Sequence, residues 1–307
     1  MDLLNFKDEL IKHLQEEGYW AVISKAEKIN YQNQDTIIVK ETAKDVVGIS
    51  YPLSELYASY CMNYNMDLCI SRLTKALINM NEESIHYFMD RISPEYLTLH
   101  VCDIDTNREL LSKSVCFEVT PTIAAVAYID IPTRNGNASI RISDNMLSQL
   151  GMTKKEALDR SISNLENSQF HVKHIGEVVK EMLGKEVPFI DRDEMPLYVV
   201  TNSLKMQGAN ILATKKALNE AVLRSVGEDC YILPSSIHEV ILVPKSSGMD
   251  VASLKNMVES VNEAELNTRE KLSDNVFEYS LSDKKLLLAT GEEKENTKVR
   301  GRNICRI

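Results

Sequence analysis

The chain has few of the features that mark an easily read function. Its 307 residues include one Trp, 11 Gly and 8 Pro, too little Gly and Pro for a low-complexity or linker-dominated protein. No apolar run approaches the roughly 18 residues of a membrane-spanning helix, and the most apolar stretch, Ile123 to Ile131, is strand-sized. Neither GxGxxG nor GxxxxGK[ST] occurs, so nucleotide binding and a phosphate-cradling loop have no sequence support. No GxSxG elbow is present. The six cysteines, Cys61, Cys69, Cys102, Cys116, Cys230 and Cys305, form no CxxC pair, which removes a zinc ribbon. They are expected to be reduced thiols, most of them buried as small apolar groups. No cofactor and no metal are expected.

Charge excludes another class. The net charge is −10, the wrong sign for non-specific association with nucleic acid. It is unevenly spread. From Gly291 onward five basic and three acidic residues give +2, which leaves −12 on the rest. Any phosphate contact is therefore expected in the basic tail, 291–307.

The N-terminal MDLLNFKDELIKHLQEEG carries acids where a secretory leader carries bases. That predicts a cytoplasmic protein with no membrane association.

What is present is a regular alternation of short elements. Leu3, Phe6, Leu10 and Leu14 share a helical stripe, widened by Leu4 and Ile11, and Gly18 ends the helix. Tyr19 to Lys28 and Thr36 to Lys40 read as a hairpin. Helices follow at Leu53 to Met62, Asp67 to Asn79 and Glu83 to Ile92. The middle is strand-rich: Tyr96 to Cys102, Cys116 to Thr120, Ala124 to Ile131 and Ala138 to Ile142, the last two joined at Asn135-Gly136. Thr153 with Glu156 three residues on is a capping box. A helix is predicted over 171–183 with Ile175, Val178, Val179, Met182 and Leu183 inward.

The last third reads as strand, helix, strand, strand, helix and a closing hairpin. Mixed helices and short, mostly antiparallel strands predict an α+β fold rather than a doubly wound sheet, with room for one parallel pair near 197–233. The acidic loop Lys185 to Pro196 suggests a division into an N-terminal lobe 1–190, a C-terminal lobe 191–290 and the tail.

Three segments carry a resemblance. They are Tyr198-Val199-Val200-Thr201-Asn202, then Gly208-Ala209, then Tyr231-Ile232-Leu233-Pro234-Ser235-Ser236-Ile237-His238-Glu239-Val240. Tyr51-Pro52-Leu53, Asn107 to Leu111 and Ile140 to Asn164 sit in the matching order upstream. The chain resembles an uncharacterised family of bacterial, Gram-positive proteins of similar length, a domain of unknown function. It departs from that pattern in the first hairpin, where Asn33-Gln34-Asp35 replaces a Gly-rich turn. The resemblance implies no activity.

The candidate chemistry is concentrated late in the chain. Thr201-Asn202 ends one strand, and Pro234-Ser235-Ser236 ends another. If the strands are neighbours, Thr201, Asn202, Ser235, Ser236, His238 and Glu239 form one cluster, at strand ends of the kind that bind ligands. Ser236 and His238 are also the candidates for a hydrolase. On an extended segment they share a face, but Ser235 and Glu239 point the other way, so no local triad forms. The competing reading has the serines satisfying backbone groups in a bend.

His171, His174 and Glu177 have helical spacing for a metal but lack a further ligand. Asp103 to Asn107 begins like a calcium loop, but Arg108 and Ser114 stand where Gly and Glu are needed. It reads as a turn and helix cap. Asp191, Asp193 and Glu194 read as a solvated loop.

The leading expectation is a non-enzymatic binding or interaction protein, its partner a protein. A hydrolase using Ser236 and His238 is the alternative. A regulator touching nucleic acid through the tail is a third class. In that third case binding is salt-sensitive and disappears when 291–307 are deleted; retention by the truncated chain in a gel-shift titration contradicts it.

Overall fold

A computed structural model describes residues 1–25, 28–30, 34–44, 48–79, 87–133, 136–184, 195–264 and 267–290. The predicted helix at Glu83, residue Asn135, the loop carrying Asp191, Asp193 and Glu194, and the basic tail lie wholly or partly outside them. The chain divides into two compact units, Met1–Arg91 and a second that opens at Ile92.

In the first unit, helix α1 (Leu3–Glu16) precedes an antiparallel sheet of β1 (Trp20–Lys25), β2 (Asp35–Lys40) and β3 (Ile49–Pro52), followed by α2 (Leu53–Asn63) and α3 (Met66–Ile78). The Asp2 carboxylate caps α1 by accepting from Asn5 N–H at 2.9 Å. The expected stripe buries Phe6, Leu10 and Leu14 but leaves Leu3 and Leu4 exposed. Phe6, Leu10 and Leu14 pack with Ile37, Leu53, Leu56 and Leu73. Trp20↔Lys40 to Lys25↔Asp35 is the predicted hairpin pairing. Strand β3 has no clear mark in the sequence, since Pro52 reads as a helix opener yet also closes this strand.

The second unit holds two antiparallel sheets. Strands β4 (Leu97–Asp103), β5 (Cys116–Glu118), β6 (Ile123–Thr133) and β7 (Gly136–Arg141) form the first, with every other strand paired to β6. The residues from Ile123 to Ile129 are buried, which explains their continuous apolar run. The second sheet has the order β13-β12-β10-β11-β9-β8, where β8 is Phe170–His174, β9 Tyr198–Asn202, β10 Cys230–Leu233, β11 Val240–Pro244, β12 Phe277–Ser280 and β13 Lys285–Leu288. Helices α4 (Arg108–Ser112), α5 (Asp144–Leu150), α6 (Lys154–Glu166), α7 (Ile175–Leu183), α8 (Lys215–Ser225) and α9 (Val251–Ala264) complete it.

The fold is α+β, as expected, with these strand pairings all antiparallel. The Thr153–Glu156 capping box is formed in both directions, at 2.8 and 3.2 Å.

Three expectations are corrected. β9 and β10 run the same way but are not a pair, because β11 lies between them. Residues 171–183 are not one helix: the first four belong to β8, and α7 starts at Ile175. The alternation Phe170-His171-Val172-Lys173-His174 is strand periodicity, and it pairs with β9 over five positions. Chain on both sides of residues 185–194 enters one sheet, and the compact units part at Arg91. On α7, Met182 and Leu183 are 78% and 59% exposed rather than inward.

Asp35, the first residue of the central strand β2, pairs with Lys25 at 2.6 Å and with Lys7. These hydrogen bonds, Lys25's first and Lys7's next, hold its pKa below the ordinary 3.8. A depressed carboxyl pKa stabilises the fold above the unfolded value, and that contribution is lost as pH falls through the folded value. Asp35→Asn should therefore flatten the acid limb of urea-unfolding midpoints measured from neutral pH to about pH 2; an unchanged limb contradicts the pairing.

Candidate functional site

Because β11 separates β9 from β10, the C-terminal ends of β9 and β10 and the start of β11 share one end of the sheet. Thr201, Asn202 and the segment 234–239 therefore meet there. The segment is held on both sides by backbone. Toward one side, Ile237 N–H donates to Glu270 C=O and Leu272 N–H to Ser235 C=O, each at 2.8 Å. Toward the other, Ala209 N–H donates to Ile237 C=O at 3.2 Å and Gly208 N–H to His238 C=O at 2.9 Å. The Thr201 hydroxyl donates to the same His238 carbonyl at 2.9 Å.

This junction has no spare volume. A Cβ on Gly208 would lie 2.4 Å from the His238 carbonyl oxygen and 2.7 Å from both Cα and Oγ1 of Thr201. Such a contact requires glycine whatever the local φ.

Side chains complete the arrangement. Ser236 is 3% exposed, and its hydroxyl accepts from His238 N–H at 3.0 Å. It turns back onto the amide of His238 rather than onto the ring, as the structural reading of these serines expects. His238 Nδ1 accepts from Gln207 N–H at 3.3 Å, which places the neutral ring's proton on Nε2. Nε2 stands 3.9 Å from the Glu270 carboxylate, and the side chain is 25% exposed. Ser235 is half-buried and Glu239 exposed. Thus Thr201, Ser236 and His238 are brought together, Asn202 comes directly after, and Glu239 stands apart.

Asn202 shapes the loop between β9 and the Gly208 turn. Its side-chain oxygen accepts from Leu204 N–H at 3.1 Å and Met206 N–H at 3.2 Å. The resulting loop contains two non-glycine residues in the left-handed region, Lys205 (φ 52°) and Gln207 (φ 58°). Each costs about 1–3 kcal/mol and persists only where the surroundings enforce it. The His238 junction enforces it here.

The loop walls a cavity of about 430 Å³ together with the strands β4, β6 and β7 and the end of α6. Asp130, Asn210 and Gln207 line it. Asp130 accepts from the buried His100 at 3.0 Å, and His100 stacks on Tyr128 at 4.3 Å and 11°. Asn210 is 4% exposed, and its side-chain oxygen accepts from Val101 N–H at 3.0 Å. Sequence reasoning does not single out these residues. The available signal is a charged or polar residue inside apolar strands, as in Ile129-Asp130-Ile131. Their partners, 30 and 109 positions away, carry no local signature.

The other sequence candidates separate. His171 Nε2 lies 2.8 Å from Ser203 Oγ. His174, on the opposite face of β8, caps α7 through Nδ1 and reaches Met195 C=O at 2.8 Å. Asp103 accepts from Thr106 N–H at 2.7 Å, the expected turn before α4. Among the described residues no group of three His, Cys, Asp or Glu is placed to hold a metal ion. Cys69, Cys102 and Cys230 are free and buried, and Cys61 is free and exposed. Burial pushes Cys230 up to about 12, and Cys102 further, so neither supplies a thiolate near neutral pH. Cys116 is disulfide-bonded, which departs from the expectation of reduced thiols.

Gly208→Ala is expected to cost about 1–3 kcal/mol, the range for overpacking. Thr201→Val, which removes one of two bonds to the carbonyl, is expected to cost about 1 kcal/mol. Urea titration of both variants checks this, and a neutral Gly208→Ala contradicts the junction.

No curated protein and no solved structure matches the chain. One family model does, over residues 3–281, which span both compact units and the whole candidate site. The chain belongs to that family, the family of unknown function DUF5688.

Proposed function

We propose that this protein is a binding protein, and that the cavity beneath the Asn202–Gln207 loop is its binding site. Thr201, Asn202, Ser235, Ser236 and His238 serve as the frame that holds the loop, with Glu239 at its exposed margin. One observation carries the reading. A strained loop, fixed from behind by the His238 carbonyl and ring, faces a cavity in front that Asp130, Asn210 and Gln207 help to line. Strain of this kind is found where a site is preorganised. A walled cavity of this size favours a small molecule over the protein partner that the sequence suggested.

The hydrolase alternative needs Ser236 Oγ to give its proton to an imidazole nitrogen. Its support is weak, because the hydroxyl is engaged with a backbone amide and Nδ1 with another. The bacterial and cytoplasmic setting belongs to the proposal too, resting on the resemblance carried by the Tyr231 to Val240 segment.

Two measurements test the proposal. Ser139 is exposed at the cavity rim, so Ser139→Trp fills the cavity without disturbing a core. Small molecules that raise the thermal midpoint of the full chain should fail to do so in this variant. Shifts that persist in Ser139→Trp, or a library with no stabilising member, overturn the cavity as the site. A broad fluorophosphonate probe should leave the folded protein unlabelled; labelling that Ser236→Ala abolishes would establish the hydrolase instead.

A further inference from the structure

Strand β8, the last in the order of the larger sheet, has a neighbour on one side alone. Its inner edge is bonded to β9, and the phase of that ladder is set by Ile175 N–H donating to Leu197 C=O at 2.8 Å. Opposed residues in an antiparallel pair alternate between bonded and non-bonded. His171 and Lys173 are therefore bonded to Thr201 and Val199, while the N–H and C=O of Phe170 and Val172 point away from β9. No described residue bonds to these outward groups. A row of open donors and acceptors is a template for one more strand.

A groove of about 680 Å³ adjoins this strand, and α8 forms its second wall. The Tyr279 hydroxyl donates to Asn219 of α8 at 3.1 Å, which places the helix on the Tyr279 face of the sheet. Strand register carries that face through Ile232, Leu242 and Tyr198 to His174, and period two adds Val172 and Phe170. The half-buried side chains of Phe170 and Val172 thus stand on the α8 side. On the helix, Ala217 and Ala221 are one turn apart and leave the space open. A sheet edge with a groove for alternate side chains is the arrangement that accepts an extended peptide.

Charge complementarity selects the occupant. Glu166, the last residue of α6, lines the groove half-buried and has no ion pair among the described residues. Lys173 is paired with Glu181, and Arg224 lies 3.6 Å from Glu220. A second copy of this chain does not answer the Glu166 charge. Joined edge to edge, both copies would use the outward groups of the same positions, so the copy would turn Phe170 and Val172 to the groove and Lys173 to the other face. We propose that the β8 edge binds an extended peptide segment of a partner protein, which pairs with Phe170 and Val172 and presents a Lys or Arg to Glu166. The proposal does not rest on the cavity beneath the Asn202–Gln207 loop.

The experiment uses the full chain. In the free protein the His171 and Lys173 amides should resist hydrogen exchange while those of Phe170 and Val172 exchange freely. The probe is a displayed library of random peptides about ten residues long, enough to span the five-residue strand. Fluorescence anisotropy reads the affinity of the enriched members. These should carry Lys or Arg, and their binding should protect the Val172 amide. Val172→Pro removes an N–H that β9 does not use, a change that edge strands tolerate, and should weaken binding by at least about tenfold. Should that variant fold poorly, the unaltered chain decides, because N-methylation of alternate peptide amides should abolish binding. Glu166→Gln should weaken it about two- to fivefold, as a partly exposed ion pair does. Ser139→Trp, outside the groove lining, should leave it unchanged.

Protection of all four amides in the free chain, a library with no enriched member, enrichment without basic residues, or binding that survives both Val172→Pro and N-methylation overturns the proposal. A dimer in light scattering that Val172→Pro dissociates gives the edge to a second copy and overturns it as well. If Ser139→Trp abolishes binding and Val172→Pro does not, the peptide occupies the cavity and the β8 edge is not its site.

Discussion

A single carbonyl oxygen, that of His238, ties together the end of β9, the 3-10 turn at Gly208–Ala213 and the connection between β10 and β11. It accepts from Gly208 N–H and from the Thr201 hydroxyl. The distances that a Cβ at 208 would impose leave glycine as the residue that fits. This constraint has two consequences. The strained loop that begins at Asn202 is closed at Gln207, whose amide is taken by the ring of the same histidine. The next turn is then placed so that Asn210 reaches the edge of β4 and joins the two sheets of the second unit through Val101.

This arrangement gives the Tyr231 to Glu239 segment a role other than the one its composition suggests. Ser, Ser, His and Glu in close succession look like chemistry. In the fold, the first serine lends a carbonyl, the second a hydroxyl, and the histidine both its carbonyl and Nδ1, in each case to backbone groups, with the Thr201 hydroxyl as a further donor to the carbonyl. Buried backbone must be satisfied, and here polar residues near a strand end meet that demand. The groups that face the cavity, Asp130, Gln207 and Asn210, come from elements on either side of the frame.

Much of the fold is legible because its strands and helices bury one face at a regular period. The capping box at Thr153, the hairpin of β12 and β13, and the run of β6 are all written in local spacing. The failures have local causes as well. Residues 171–183 contain apolar positions compatible with a helix, and only Val172 between two histidines marks the strand. The parallel neighbours are misplaced because β11, later in the chain, inserts between β9 and β10. The convergence of Thr201 with His238 is readable as a conditional, given adjacent strand ends. The pairing of His100 with Asp130 and the reach of Asn210 to Val101 depend on sheet packing, which a one-dimensional pattern does not encode.

The central claim is that His238 holds the loop rather than performing chemistry, and amide hydrogen exchange on the native chain tests it directly. The Gln207, Gly208 and Ala209 amides should be protected well beyond those of an exposed loop. In His238→Ala the Gln207 amide should lose its protection, while Gly208 and Ala209, whose acceptors are main-chain carbonyls, stay protected. Rapid exchange at Gly208 in the native protein, or a Gln207 amide unchanged by the substitution, would contradict the account.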